Sequence, residues 1–158
     1  MENWEKTLDD CFEQQRQFEE AQKQRAETNA AAIAATRKRA DEFMLQVVEP
    51  AFRKLADKLK QNAKKVSIEG GDVSRVLEVQ SGSKPEFMYA LDINSGAGMA
   101  TVGAKYKAFN KSGHPLEQGG GTIMKDNRET DISHITETDI IHNFVEYYTR
   151  PMRLAKML

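Results

Sequence analysis

Phe87-Met88-Tyr89-Ala90-Leu91-Asp92-Ile93-Asn94-Ser95-Gly96-Ala97-Gly98-Met99-Ala100-Thr101-Val102-Gly103-Ala104-Lys105-Tyr106 is the stretch that decides the fold. Side chains of an extended chain alternate between two faces. Phe87, Tyr89, Leu91 and Ile93 therefore share one face, with Met88, Ala90 and Asp92 opposite. Asn94 to Gly98 reads as a turn into a second strand, Met99 to Phe109. There Ala100, Val102, Ala104 and Tyr106 share a face, and Lys105 and Lys107 lie opposite. Two neighbouring strands, each apolar on one side and more polar on the other, predict an antiparallel sheet covered by helices on a single face.

Working outward, Val66 and Ile68 alternate ahead of Glu69-Gly70-Gly71-Asp72, a sequence suited to a tight hairpin turn. Val73 to Gln80 is the next strand, and Ser81-Gly82-Ser83-Lys84-Pro85 the next turn. Downstream, Asn110 to Gly121 reads as a long polar loop, with short strands at Thr122 to Lys125 and Ile132 to Ile135. Thr136 to Asp139 resembles a capping box with Asp in place of Glu or Gln. It opens a helix whose apolar face is Ile140, Ile141, Phe144, Val145 and Tyr148. Pro151 should bend or end that helix, leaving Met152, Leu154, Met157 and Leu158 for a short second one.

Upstream the grammar changes. All ten glycines lie in 70–121, whereas residues 1–63 hold none and a single proline, Pro50. Glu, Gln, Lys, Arg and Ala dominate there, all good helix formers. At about 100° per residue, Trp4, Leu8, Cys11, Phe12, Phe18, Ala26, Ile33, Ala40, Met44, Val47, Ala51 and Leu55 stay in one stripe. Gln15, Gln22 and Asn29 fall inside it, and a strict heptad fits worse, so one or two straight helices are expected rather than a long zipper. Residues 41–63 form the domain's core helix, with Phe43, Met44, Val47, Val48, Phe52, Leu55 and Leu59 toward the sheet. Pro50 either kinks it or starts a new helix at its first turn, the unbroken phase of the stripe favouring the kink, and Thr28-Asn29 offers a second break. The predicted fold is α+β: a helical arm over 1–40, then a compact domain over 41–158 with an antiparallel meander of four to five strands and a C-terminal helix packed on one sheet face.

The 158 residues are 39% apolar and carry a net charge of −1, which fits one small domain with an appendage and argues against a strongly basic nucleic-acid binder. No stretch approaches a membrane span, and the first residues lack a signal peptide's pattern, so a soluble, cytoplasmic protein is expected. One cysteine, Cys11, excludes an internal disulfide or a multi-thiolate metal site. Asp139, His142 and Glu146 share a helix face at metal-ligand spacing, but the face lies opposite Ile141 and Phe144 and reads as solvated. The glycines at 94–98 and 119–121 lead into strand-like sequence rather than a helix, so they read as turns, not phosphate cradles. No catalytic motif, metal or cofactor is expected.

Two kinds of surface remain. The arm carries Trp4, Leu8, Phe12 and Phe18, more apolar surface than one face of so small a domain can cover. That marks an interface with a protein partner or with a second copy, a dimer being the expected assembly. The alternative is a nucleic-acid or small-ligand site. Its candidates are the cations Arg37, Lys38, Arg39, Arg53, Lys54 and Lys58, the basic stretch 53–65 with Arg150, Arg153 and Lys156, and the second sheet face at Asp92, Lys105, Lys107 and Gly119 to Gly121. The helical interface is the leading expectation, without catalysis.

Overall fold

The computed structural model describes residues 3–71, 73–96 and 99–157, of which 152–157 by backbone alone. The chain divides into two units, Met1–Thr36 and Arg37–Leu158. The first unit is helical throughout its described part. Helix α1 runs from Trp4 to Phe43, opened by Asn3, whose Oδ1 accepts the Lys6 N–H at 3.3 Å. The break expected at Thr28-Asn29 does not occur. Alanines at 26, 30–32, 34 and 35 surround that pair, and alanine's helix propensity outweighs one asparagine and one threonine.

In the second unit, the helix widens at Met44–Val48 into a π turn, in which the Glu49 N–H donates to the Met44 carbonyl. Pro50 follows in the first turn of α2 (Glu49–Gln61). Proline lacks an N–H and its ring crowds the carbonyl four residues back, and a wide turn just upstream relieves both faults. The expected kink is thus a π turn. It also sets the packing, because steps of four residues overshoot an α-helical turn by about 40° each. The wider turn takes up that drift and keeps Ala40, Met44, Val48 and Phe52 all buried. α2 ends on Ala63 in a left-handed conformation (φ 62°), with the Lys64 N–H donating to the Leu59 carbonyl and the Ala63 N–H to that of Lys60.

Five strands follow in meander order: β1 (Lys65–Gly70), β2 (Ser74–Ser81), β3 (Lys84–Gly96), β4 (Met99–Phe109) and β5 (Pro115–Thr122). All pairings are antiparallel, and the central register sets Tyr89 opposite Tyr106 and Leu91 opposite Ala104. The alternation read from the sequence holds: Phe87, Tyr89 and Leu91 are buried, as are Ala100, Val102, Ala104 and Tyr106. Ile93 is half-buried. Gly82 turns β2 into β3 with φ 66°. Asp72, Ala97 and Gly98, which complete the other two expected turns, lie outside the described residues.

The Asn110 to Gly121 segment is not a loop. Most of it is β5, paired with β4 from Phe109↔Pro115 to Ala104↔Gly121. Pro-Leu-Glu-Gln-Gly-Gly-Gly-Thr has no apolar alternation, so periodicity could not find it. Packing requires its glycines instead: a Cβ on Gly120 would lie 2.3 Å from the Ala104 carbonyl oxygen, and one on Gly119 would lie 3.0 Å from the Tyr106 ring. The two expected short strands also fail. Thr122 ends β5, Lys125 makes only an isolated bridge to Arg128, and Ile132–His134 is a 3-10 turn opened by Asp131.

Helix α3 (Glu137–Met157) begins with the expected reciprocal cap. The Thr136 N–H donates to Asp139 Oδ2 at 2.8 Å and the Asp139 N–H to Thr136 Oγ1 at 3.3 Å. Ile140 and Phe144 are buried, but Val145 is exposed, and Tyr147 takes the inward place assigned to it. Pro151 sits inside α3 rather than ending it. The side chains of Met152, Arg153, Leu154, Lys156 and Met157, and all of Leu158, lie outside the described residues.

Helices α2 and α3 cover one sheet face through an aromatic centre. The Phe144 ring meets Tyr89 edge-on at 5.3 Å and Phe87 at 5.5 Å, Tyr147 stacks on Tyr106 at 4.6 Å, and Phe52 leans on Tyr89 at 6.0 Å. Burial of large side chains contributes about 1.5–3 kcal/mol each, so this cluster anchors the domain. Within the second unit, no described helix packs on the other sheet face.

Candidate interaction surfaces

The α1 stripe is open to solvent. Trp4 is 66% exposed, Leu8 45%, Phe12 60%, Phe18 62% and Ile33 57%, and Cys11 is exposed as well. Single exposed apolar residues are ordinary. Here five large ones, three of them aromatic, lie along one stripe of a single helix. The polar positions within the row, Gln15, Gln22 and Asn29, are exposed too.

The candidate cations do not form one free surface. Arg39 pairs with Asp131, Lys54 with Glu137, and Arg53 with Glu49 at 3.4 Å. Arg37, Lys38 and Lys58 are exposed, and Lys58 lies in the last turn of α2, where the helix dipole favours a cation. Half of the predicted set thus lies beside carboxylates of its own chain, with Glu49 shared between Arg53 and Arg75. At the C-terminal helix, Arg150 reaches Glu146 at 3.2 Å and lies over the Tyr147 ring.

The uncovered sheet face does bring its candidates together. Asp92 and Lys105, with Lys107, border a shallow depression of about 960 Å³ whose floor is Met88, Ala90 and the Gly119–Gly121 backbone. Lys107 lies over the Phe109 ring at 5.5 Å. The glycines that were read as a turn serve here as an edge strand without side chains, which keeps the depression open.

A second depression, of about 690 Å³, was not foreseen. Lys64, Glu86, Phe109, Lys111, Leu116 and Tyr148 contribute to its lining. Glu86 accepts both the Lys64 ammonium and the Tyr148 hydroxyl. Burial, reinforced by the Glu86 acceptor and its charge, pushes the Tyr148 phenol well above its usual range. Glu86 follows a proline at the start of a strand, and no spacing in the sequence ties it to Lys64 or Tyr148.

The histidines stay apart. His114, His134 and His142 are all exposed, and no group of three or more metal-ligating side chains occurs among the described residues. Asp139 is committed to Thr136 and to Lys125, 3.1 Å away. Burial raises its pKa, but the Thr136 N–H and hydroxyl and the Lys125 ammonium outweigh that and hold it below the carboxylate norm. Tyr106 is shifted up by burial and by its bond to Glu117, with Arg150 opposing.

No family model matches the chain. Neither a curated protein nor a solved structure matches it. No described helix is long and apolar enough to cross a membrane.

Proposed function

We propose that the protein is a non-catalytic interaction module that self-associates through α1, the assembly being a dimer. The observation that carries the reading is the exposed row Trp4, Leu8, Phe12, Phe18 and Ile33 on one stripe of a 40-residue helix. Isolated helices gain little from propensity alone, and most draw their stability from burying an apolar face. A second α1 supplies such a face. Phe12 and Phe18 are the expected anchors, because desolvated aromatics dominate interface energies.

Light scattering tests this. The native chain should have twice the mass of one chain, and Leu8→Glu with Phe12→Glu should halve it without altering the sheet's circular dichroism. Two chains in both proteins would move the interface off α1, and one chain in the native protein would end the proposal.

A second reading places a small anionic ligand or a nucleic-acid strand on the uncovered sheet face. Its support is the gathering of Lys105 and Lys107 beside the Gly119–Gly121 backbone. Titration with short oligonucleotides and nucleoside phosphates checks it, and binding unchanged by Lys105→Ala with Lys107→Ala would dismiss it.

A further inference from the structure

Building on α1 as the self-association helix, we infer that the second copy lies antiparallel to the first, with the two-fold axis beside Gln22. Three independent features of α1 lead there. The first is charge. Residues 4–20 carry Glu5, Asp9, Asp10, Glu13, Glu19 and Glu20 against Lys6 and Arg16, whereas 21–38 carry Lys23, Arg25, Arg37 and Lys38 against Glu27. Arg39 is set aside, since Asp131 holds it. A parallel pair would lay acidic half on acidic half and basic half on basic half, but an antiparallel pair lays each on its opposite.

The second feature is the set of polar residues that interrupts the stripe. A two-fold axis at Gln22 sets position i opposite position 44 − i, by definition of the symmetry. Gln15 then faces Asn29 of the other chain, and Gln22 faces its own copy. Each exposed amide meets an amide, with a donor and an acceptor available on both sides. Polar groups placed this way fix the register of paired helices. Moving one helix along the other by a turn separates the amides: with i opposite 40 − i, Gln22 meets Phe18 and Asn29 meets Cys11, and with i opposite 48 − i, Gln15 meets Ile33 and Gln22 meets Ala26.

The third is size. The large residues crowd the first half of α1, and the second half offers alanines. In this register Phe12 and Phe18 of one chain face Ala32 and Ala26 of the other, large against small, Cys11 faces Ile33, and the symmetry repeats each contact at the far end. A parallel pair would stack Phe12 on Phe12 and leave alanine on alanine.

The native cysteine makes the geometry measurable. Cys11 of one chain is removed from Cys11 of the other by 22 positions, about 33 Å along the helix at about 1.5 Å per residue, whereas a disulfide needs Cα atoms within about 7 Å. Mild oxidation should therefore leave the native dimer non-covalent. Cys11→Ser with Gln22→Cys should cross-link at the axis, and Ile33→Cys with Cys11 retained should cross-link off it, each at least about tenfold faster than the native chain. Covalent dimer from native Cys11 at the rate of the variants would mean parallel helices and overturn the inference. Two-chain mass with neither variant cross-linked would overturn the register. A one-chain mass before oxidation would instead refute self-association itself.

Discussion

Asp131 joins three parts of the domain through one carboxylate. Its Oδ1 accepts the Ala100 N–H at 2.9 Å, and its Oδ2 accepts the Ser133 N–H at 3.0 Å and hydroxyl at 2.6 Å while pairing with Arg39. Replacing it by alanine leaves the N–H of Ala100, a residue 1% exposed, without a partner, which costs about 1–3 kcal/mol. The Arg39 side chain is 41% exposed, so the ion pair adds no more than about 1 kcal/mol. Asp131→Ala should thus lose about 3 kcal/mol, or about 6–12 °C in Tm at about 2–4 °C per kcal/mol for a chain of this size. Asp131→Asn, which keeps an acceptor for Ala100, should lose about half. Burial alone would raise the Asp131 pKa, but the Ser133 hydroxyl, the Ala100 and Ser133 N–H groups and Arg39 drive it well below the carboxylate range. Because the folded value is depressed, the stabilisation is complete above the unfolded value near 3.9 and fades as pH falls toward the folded one. The gap between native protein and Asp131→Asn in urea melts should therefore be full at pH 6 and shrink below about pH 4. A native-like midpoint for Asp131→Ala at pH 7, with unchanged m value, would refute the reasoning.

Two stability predictions follow from the backbone. Gly120→Ala forces a Cβ to within 2.3 Å of the Ala104 oxygen and 3.0 Å of the Lys105 Cα, and overpacking of this kind costs about 1–3 kcal/mol. Gly121→Ala, whose Cβ would meet only the Tyr147 hydroxyl at 3.9 Å, should change stability by less than about 0.5 kcal/mol; thermal melts that rank the two alike would contradict the placement of β5. Ala63→Gly should raise stability, because Ala63 holds φ 62°, a conformation costing about 1–2 kcal/mol for an L-residue, and glycine's looser unfolded chain returns about 0.4–1 kcal/mol of that. A lowered denaturation midpoint for Ala63→Gly would count against the cap described for α2.

The parts of the fold that were legible in the sequence were those governed by local periodicity. Phe87 to Tyr106 alternated because one sheet face is buried, and Phe43 to Leu59 repeated because one helix face is. β5 was illegible because its strand character comes from Tyr106 and Ala104 pressing on glycines 119 and 120, contacts from another strand that leave no period in its own residues. The π turn at Met44–Val48 was hidden for a similar reason: Pro50 announces a fault in the helix but does not say how the upstream turn absorbs it. Val145 and Tyr147 exchanged roles because Tyr106 offers a ring for Tyr147 to stack on. Among candidate sites, the α1 stripe could be read directly. The pairing of Arg39 and Lys54 could not, since Asp131 and Glu137 reach them only through the folded arrangement, whereas Glu49 and Arg53 are four residues apart on one helix.

The central claim, that the exposed stripe of α1 is covered by a second copy, is tested most directly by sedimentation equilibrium over a wide concentration range. The native chain should approach the mass of two chains as concentration rises, with Leu8→Glu and Phe12→Glu together holding it at one. A native chain that sediments as a single chain at every concentration would contradict the account.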